Sequence, residues 1–311
     1  MSYQWFLNDN AIQGATGASL NFSDVQPGSD GSYSVVVSTM VSGQTQSYAS
    51  PAVTLTVVLH GDQAARVDFT STGQSDILWQ NTSTGERGIW FMDGTTYTGW
   101  FSLGIVPNQW QIAATGSFGG SGNCDILWQN TSTGECGVWL MDGTTFVSYV
   151  SFGIVPTQWQ IAGTGDFNGD GNTDILWQNS STGERLIWLM NGTAYVSSVS
   201  LGIVSTQWQI AGTGDFNGDG KPDILWQNTG TGERGVWLMS GTSFASYVSI
   251  GIVPTQWQIA GTGDFNGDGR PDILWQNTST GDRYVWLMDG TNFAESVQLG
   301  TVATQWVIRD N

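Results

Sequence analysis

Basic residues are scarce in this sequence. Among 311 residues, 8 Lys and Arg stand against 26 Asp and Glu, which gives a formal net charge of −18 and a pI near 4.1. Nucleic acids and anionic membrane surfaces are both bound through clustered Lys and Arg. We therefore expect neither as a partner. No apolar run reaches about 18 residues, so we also expect no membrane-spanning segment.

Cysteine and histidine are nearly absent as well. The two cysteines, Cys124 and Cys136, cannot form a disulfide framework. Their places on neighbouring strands put the sulfurs too far apart to bond, so we predict two free thiols. The single histidine, His60, has no partners for a nucleophilic triad. The recurring carboxylates occupy identical positions, which cannot separate an acid from a base. The sequence predicts a protein that is not an enzyme.

Aromatic residues, by contrast, are abundant and periodic. Fifteen of the 17 tryptophans recur at intervals of 49 residues. One series belongs to the string Asp-Ile-Leu-Trp-Gln-Asn, which begins at Asp76, Asp125, Asp174, Asp223 and Asp272. A second series is Trp90, Trp139, Trp188, Trp237 and Trp286, and a third is Trp110, Trp159, Trp208, Trp257 and Trp306. The chain therefore contains five tandem units.

Each unit contains four strand-like segments. In the third unit they are residues 159–167, 174–179, 185–190 and 194–201, separated by turn residues such as Asn191-Gly192. Four strands in about 40–50 residues are typical of a propeller blade. We predict an all-β fold, a five-bladed β-propeller of four-stranded 49-residue blades. The alternative is an open arc completed by a second chain.

The first unit lacks the beginning of its first strand, where His60-Gly-Asp-Gln-Ala-Ala stands in place of a Gln-Trp-Gln-Ile-Ala sequence. A spare copy, Gln305-Trp-Val-Ile, lies at the C-terminal end. We predict that this segment fills the missing strand of the first blade.

Residues 1–59 do not share the repeat. Strand-like runs such as Ala52-Val-Thr-Leu-Thr-Val-Val resemble the second half of a bacterial immunoglobulin-like domain. In that resemblance Trp5 matches the buried tryptophan and Asp30-Gly-Ser-Tyr33 the tyrosine corner. We assign 1–59 to a partial immunoglobulin-like β-sandwich, a small half domain, 60–65 to a linker and 66–311 to the propeller. Either the half domain is a fragment, or a neighbouring chain completes it.

Three loops carry oxygen side chains at positions 1, 3, 5 and 9, with glycine at position 6. This spacing in a tight loop is typical of calcium, which prefers hard oxygen ligands. We expect three calcium sites, each with a backbone carbonyl at position 7. The predicted ligands are Asp166, Asn168, Asp170, Asn172 and Asp174; Asp215, Asn217, Asp219, Lys221 and Asp223; and Asp264, Asn266, Asp268, Arg270 and Asp272.

The corresponding loops of the first two units have lost carboxylates. They offer Asp68, Thr70, Thr72 and Asp76, and Ser117, Gly119, Ser121 and Asp125. We expect these two loops to bind calcium poorly or not at all. The alternative for the intact loops is an Asx-rich turn without metal.

The string Gly-Asp-Phe-Asn-Gly-Asp-Gly-x-x-Asp-Ile-Leu resembles the FG-GAP (VCBS-type) repeat of integrin-α-like propellers, and the likeness extends over residues 66–311. The resemblance implies a structural calcium loop between the first two strands of each blade. It also implies a secreted protein, extracellular or at the cell surface, whose export signal is not in this chain. Some relatives are seven-bladed lectins that bind sugars between blades.

Turns after the second strand and connections before the first strand are predicted to meet on one face. Trp, Gln, Glu and Arg would then lie together, a combination suited to stacking on a sugar ring and bonding its hydroxyls. The candidate ligand residues are Trp110, Trp159, Trp208, Trp257, Trp306, Glu86, Arg87, Glu184, Arg185, Glu233 and Arg234. The alternatives are packing between blades for the tryptophans and surface ion pairs for Glu and Arg. Trp79, Trp90 and their equivalents are predicted core residues.

Three functions remain open from the sequence. The first is a calcium-stabilised lectin or adhesin that recognises glycans or another cell-surface partner. The second is an assembly protein that associates with itself through its incomplete immunoglobulin-like half. The third is the non-catalytic targeting part of a larger secreted enzyme.

Overall fold

The computed structural model describes residues 1–21, 31–55, 67–120 and 122–309. His60, the predicted linker 60–65, Asp30 and Ser121 lie outside these ranges. The chain divides into two compact units, Met1–His60 and Gly61–Asn311. Within the described ranges the fold is all-β, with no helix. The described part of the chain accordingly offers no helix with the length and apolar character of a membrane span.

The described residues of the N-terminal unit form one antiparallel sheet. Its strands are β1 (Ser2–Leu7), β2 (Asn10–Ala11), β3 (Gly31–Val41), β4 (Gln44–Ala49) and β5 (Val53–Leu55). Their order is β2-β1-β3-β4, and β5 also pairs with β3. Trp5 is half-buried and its indole Nε1 donates to the Gly17 carbonyl over 3.0 Å. No strand of this sheet contains a buried residue.

Each repeat forms a four-stranded antiparallel sheet. Sheet 1 begins with β6 (Ile77–Asn81), β7 (Glu86–Asp93) and β8 (Thr96–Ile105). Sheet 2 contains β9 (Trp110–Gly116), β10 (Asp125–Asn130), β11 (Glu135–Asp142) and β12 (Thr145–Ile154). Sheet 3 contains β13 (Trp159–Gly165), β14 (Asp174–Asn179), β15 (Glu184–Asn191) and β16 (Ala194–Ile203). These bounds confirm the four segments predicted for the third unit to within two residues.

The remaining repeats follow the same plan. Sheet 4 contains β17 (Trp208–Gly214), β18 (Asp223–Asn228), β19 (Glu233–Ser240) and β20 (Ser243–Ile252). Sheet 5 contains β21 (Trp257–Gly263), β22 (Asp272–Asn277), β23 (Asp282–Asp289) and β24 (Asn292–Thr301). The last strand is β25 (Trp306–Ile308).

The last strand of the chain completes the first repeated sheet. β25 pairs with β6 in the register Trp306↔Asn81 and Ile308↔Trp79, so the order in sheet 1 is β25-β6-β7-β8. The prediction that the C-terminal segment fills the missing strand is therefore confirmed. Without β25, β6 would expose an unpaired edge.

A glutamine on the second strand joins each sheet to the next. In sheet 1, Oε1 of Gln80 accepts the amide of Ile112 in sheet 2 over 3.2 Å. In the same way the amides of the corresponding isoleucines donate to the glutamines of the preceding sheets: Ile161 to Gln129, Ile210 to Gln178, Ile259 to Gln227 and Ile308 to Gln276. Because Ile308 belongs to sheet 1, this series of hydrogen bonds returns to the sheet from which it began.

The core of this unit lies between neighbouring sheets. The second strand of every sheet, Ile-Leu-Trp-Gln-Asn in each case, is covered on both faces and is almost wholly buried. Its tryptophan is 1% exposed in all five sheets, at Trp79, Trp128, Trp177, Trp226 and Trp275. Large apolar residues recur on both faces of this strand because each face meets a different sheet.

Candidate functional site

The predicted calcium loops connect the first and second strands of sheets 3, 4 and 5. In sheet 3 the carboxylate of Asp166 accepts the amides of Gly169, Asp170 and Gly171 at 2.7–3.0 Å. Asn168 donates its side-chain amide to Asp170 over 2.9 Å. The loops of sheets 4 and 5 have the same bonds from Asp215 and Asp264. The three intact sequences therefore form the same loop.

The aspartate at position 9 clamps the loop to the sheet. Asp174 is fully buried, and its two carboxylate oxygens accept the amides of Phe167 and Met190. Both bonds recur at the equivalent aspartates, Asp76, Asp125, Asp223 and Asp272. Two of these belong to the degenerate loops: the loop of Asp76 keeps only Asp68 as a second carboxylate, and the loop of Asp125 keeps none. The repetition of position 9 thus has a structural cause that the sequence pattern did not reveal.

Burial raises the pKa of Asp174 to about 6, against the lowering effect of its two amide donors, and Asp166 and Asp170 raise it further. The pKa of Asp223 rises to about 7 and that of Asp272 to about 6 for the same reasons. Three carboxylates thus interact in each intact loop, and a bound cation would relieve their repulsion.

The donor chemistry of these loops suits calcium, since it consists of carboxylate and amide oxygens. Among the described residues, however, no three His, Cys, Asp or Glu side chains are grouped closely enough to hold a metal ion. Here the loop carboxylates bond to loop amides. At position 7, the amides of Asn172, Lys221 and Arg270 donate to the preceding aspartates, and Arg270 also pairs with Asp289. Calcium binding therefore stays a prediction.

A second set of candidate sites consists of aromatic crevices on the repeated sheets. In sheet 2, Trp110, Trp128, Trp139 and Tyr149 line a cavity of about 230 Å³ together with Val106 and Pro107. Equivalent cavities occur on sheet 1, with Trp79, Trp90, Trp100 and Trp306, and on sheet 5, with Trp257, Trp275, Tyr284 and Trp286. All three repeated tryptophan series therefore meet at one place.

The rings in a crevice are packed at defined angles. The rings of Trp128 and Trp139 are 4.7 Å apart and tilted by 48°. Trp110 meets Tyr149 edge to face at 6.3 Å. Core packing is confirmed for Trp128 and its equivalents, whereas Trp139 is half-buried and belongs to the crevice wall. The indole Nε1 of Trp128 and of each equivalent is buried and has no hydrogen-bond partner in the described part of the chain.

The five sheets differ at the position that forms one wall of these crevices. Gly137 on β11 lies beneath the ring of Tyr149, and a Cβ at this glycine would come within 2.7 Å of that ring. Gly88 is covered in the same way by Trp100, and Gly235 by Tyr247. Sheets 3 and 5 reverse this arrangement, since Leu186 and Tyr284 replace the glycine while Ser198 and Ser296 replace the covering aromatic residue. The large side chain of this wall thus comes from the fourth strand in sheets 1, 2 and 4, and from the third strand in sheets 3 and 5.

Two crevices share a tyrosine–glutamate pair. The hydroxyl of Tyr149 donates to Oε1 of Glu135 over 3.3 Å, and that of Tyr247 to Glu233 over 2.9 Å. Burial first, and then Glu233, raises the pKa of Tyr247 to about 12, so its hydroxyl stays protonated. Each pair presents a carboxylate and a hydroxyl beside a half-buried tryptophan, Trp110 or Trp208. Sheets 2 and 4 therefore have the same tyrosine–glutamate hydrogen bond at the same position.

The predicted meeting of turn and connection is confirmed, because the amide of Val204 donates to the carbonyl of Gly183 over 2.8 Å. The prediction that the arginines contact a ligand or form surface ion pairs is wrong. Arg87, Arg185 and Arg234 are at most 2% exposed. Their guanidinium groups are held inside the protein by main-chain carbonyls.

Each of these arginines connects two sheets. Nη2 of Arg185 donates to the carbonyl of Trp208 over 2.6 Å, and Nη1 to the carbonyl of Glu184. The guanidinium lies 5.4 Å from the ring of Trp226. Arg87, Arg234 and Arg283 repeat this arrangement over Trp128, Trp275 and Trp79. Sequence reasoning missed this role because Glu-Arg in a turn is typical of an exposed pair.

Sheet 2 lacks the connecting arginine. Cys136 stands in its place, fully buried, and burial raises the pKa of its thiol to about 12. Cys124 is buried as well, and within the described ranges neither cysteine forms a disulfide, as predicted.

Comparison with known proteins gives a family match over part of the chain. The FG-GAP-like repeat family matches residues 166–226 and 215–275. No curated protein matches the chain. Among solved structures, the Photorhabdus luminescens Tc holotoxin pore is 14% identical with a TM-score of 0.39, over 90% of this chain and 15% of that one.

Two further solved structures are similar at a comparable level. Rhamnogalacturonan lyase YesW is 12% identical with a TM-score of 0.30, over 89% of this chain and 54% of that one. The V. cholerae biofilm matrix protein Bap1 is 14% identical with a TM-score of 0.31, over 76% of this chain and 36% of that one. The chain thus spans about half or less of each of these three proteins. The family match shows that residues 166–275 are similar to FG-GAP-like repeats.

Proposed function

We propose that this chain is a secreted, non-catalytic binding module whose five repeated sheets form a five-bladed, calcium-stabilised β-propeller that recognises carbohydrate. The observation that carries the proposal is the repeated aromatic crevice. Each combines half-buried tryptophan, which can stack on the apolar face of a sugar ring, with polar groups at its edge. Several shallow sites of this kind gain strength through multivalency.

The blade count rests on the hydrogen bonds between sheets. Five glutamine-to-amide bonds lead from sheet 1 through sheets 2, 3, 4 and 5 and back to β25 of sheet 1. An open arc would leave the last of these bonds unmade. This supports five blades over an arc completed by a second chain.

A glycan-binding screen with the purified chain in calcium tests the carbohydrate proposal. Trp110→Ala and Trp208→Ala remove one wall from the two crevices with a tyrosine–glutamate pair. We expect each to lower the affinity of a bound glycan by up to about tenfold, since stacking contributes about 0.5–1.5 kcal/mol. Tyr48→Ala, which changes an exposed ring in the N-terminal sheet, is the matched control. A screen without any bound glycan would refute the proposal.

The calcium proposal is tested separately. After bound metal has been removed with a chelator, calorimetric titration of the full chain with calcium should give three sites. Asp170→Asn, Asp219→Asn and Asp268→Asn should each remove one, because each takes a charge from an intact loop. Asp68→Asn, in a loop with fewer carboxylates, should leave the count unchanged. If the titration shows no heat of binding, the calcium proposal is refuted. The glycan proposal would not be affected, because the glycan-binding screen tests it separately.

A second candidate function, self-assembly, is favoured by the N-terminal sheet. None of its strands contains a buried residue, although β3 carries Val35, Val36 and Val37 in succession. A β-sheet of this composition is stabilised when a second layer covers one face. In this alternative a neighbouring chain supplies that layer to an immunoglobulin-like half domain. Light scattering of the full chain tests it, and a strict monomer at all concentrations would refute it.

A further inference from the structure

One cavity is lined by the first strands of all five repeated sheets. It has a volume of about 250 Å³, and its wall is formed mainly by glutamine, isoleucine and alanine from β9, β13, β17, β21 and β25. Among the described residues that line this wall there is no carboxylate, although the protein as a whole carries a net charge of −18. The cavity is distinct from the aromatic crevices, with which it shares no residue.

A single arginine interrupts the repeat inside this cavity. Four sheets present alanine after the conserved isoleucine of the first strand, at Ala113, Ala162, Ala211 and Ala260. In sheet 1 the equivalent residue is Arg309, directly after β25. One of the five first strands therefore places a guanidinium at a position in the cavity lining where the other four strands place the methyl group of alanine.

Arg309 is only partly paired. Its main-chain amide donates to the carbonyl of Leu78, and Nη2 donates to Oε1 of Gln111 over 3.2 Å. Its Nε is buried and has no partner among the described residues. The connecting arginines have the same unpaired Nε but do not line this cavity. Of the described side chains that line it, Arg309 is the one with a buried donor that lacks an acceptor.

Arg309 is half-buried, and no carboxylate of the described residues balances its charge. Placing a guanidinium out of water without an opposing charge is unfavourable, and an anion in hydrogen-bond contact offsets that cost. Arg309 also repels another cation, Arg87 of sheet 1. Burial first, and then repulsion by Arg309, lowers the pKa of Arg87 to about 10. Both the missing acceptor and the missing negative charge would be supplied by one ligand.

We infer that this central cavity binds a small carboxylate anion through Arg309, with glutamine side chains as further hydrogen-bond partners. A carboxylate presents two oxygens to the fork of a guanidinium, and a single arginine balances its single charge. The carboxylate belongs either to a simple acid or to a sugar acid, since the volume admits both. This inference does not depend on the proposed carbohydrate site.

Thermal unfolding of the full chain in sodium acetate, against sodium chloride at equal ionic strength, tests the inference. At tenfold excess over Kd, a single bound anion should raise Tm by about 2–4 °C. Arg309→Ala should abolish the acetate-specific shift, and this variant restores the residue that the other four sheets carry. Arg270→Gln changes an exposed, ion-paired arginine and should keep the shift.

Two further arms identify the source of the carboxylate. A larger shift with sodium glucuronate than with acetate assigns a sugar acid, and an equal or smaller one assigns a simple acid. Absence of any shift in the natural sequence, or an equal shift in Arg309→Ala, overturns the inference. A shift that arises only in Asp310→Asn overturns it too, because the chain's own side chain would then supply the anion.

Discussion

The N-terminal sheet and the five repeated sheets are built from similar β-forming residues but differ in burial. In β3 the residues are at best half-buried, whereas in β10 all six are buried. The difference arises because β10 has a sheet against each face, while no described residue of the N-terminal strands has such cover. Strand formation therefore requires only local sequence, and a core requires a second layer.

Truncation should show the largest contrast between the two regions. Removal of residues 306–311 takes away β25 and leaves β6 with an open edge, so we expect loss of cooperative unfolding. Removal of residues 1–60 should change the Tm of the repeats by only a few degrees. Circular dichroism melts of both truncated chains measure the contrast. Equal effects of the two truncations would contradict it.

Tryptophan replacement should give the next largest contrast. Trp128→Ala empties a fully buried site and should lower the free energy of unfolding by about 3–5 kcal/mol. Trp5→Ala removes a half-buried ring and should cost about 1 kcal/mol or less. Urea unfolding followed by fluorescence measures both, and the reverse order of effects would refute the assignment of the core.

The connecting arginines should contribute less than the tryptophans. Arg185→Cys reproduces the residue that sheet 2 carries naturally and should lower the free energy of unfolding by about 2 kcal/mol, since it removes hydrogen bonds from a charged group. Arg270→Cys, at an exposed position, should change it by less than about 0.5 kcal/mol. If both variants unfold at the same urea concentration, Arg185 does not join the sheets.

The smallest predicted effect depends on pH. The folded pKa of Asp76 is raised to about 6 from 3.8, mainly by burial. The folded state therefore binds more protons than the unfolded state between these values. This contribution to stability is present below pH 4 and is lost as pH rises through about 6. In chelator, Tm should fall by a few degrees over this range, equally with and without residues 1–60. A pH dependence confined to the full chain would place it in the N-terminal unit.

The regular part of the fold was predictable because each repeat carries its own turns and a fixed tryptophan spacing. The pairing of β25 with β6 was predictable for the same reason, since the first unit lacks one strand that the C-terminus duplicates. The burial of Arg185 was not, because the contact that buries it belongs to the next sheet, beyond the range of local sequence pattern. The hydrogen bonds from the amides of Phe167 and Met190 to Asp174 were not predicted either. An aspartate at position 9 fits a metal ligand and an acceptor of main-chain amides equally well, so the sequence pattern did not distinguish the two roles.

The pairing of β25 with β6 also determines the order of events during synthesis. Some 225 residues separate the two strands, since Asn81 pairs with Trp306. The earliest repeated sheet to leave the ribosome is thus the last to be completed, and its unpaired edge persists until Ile308 has emerged. During that interval the nascent chain is most prone to pair with a neighbour, and closure by its own final strand ends that vulnerability.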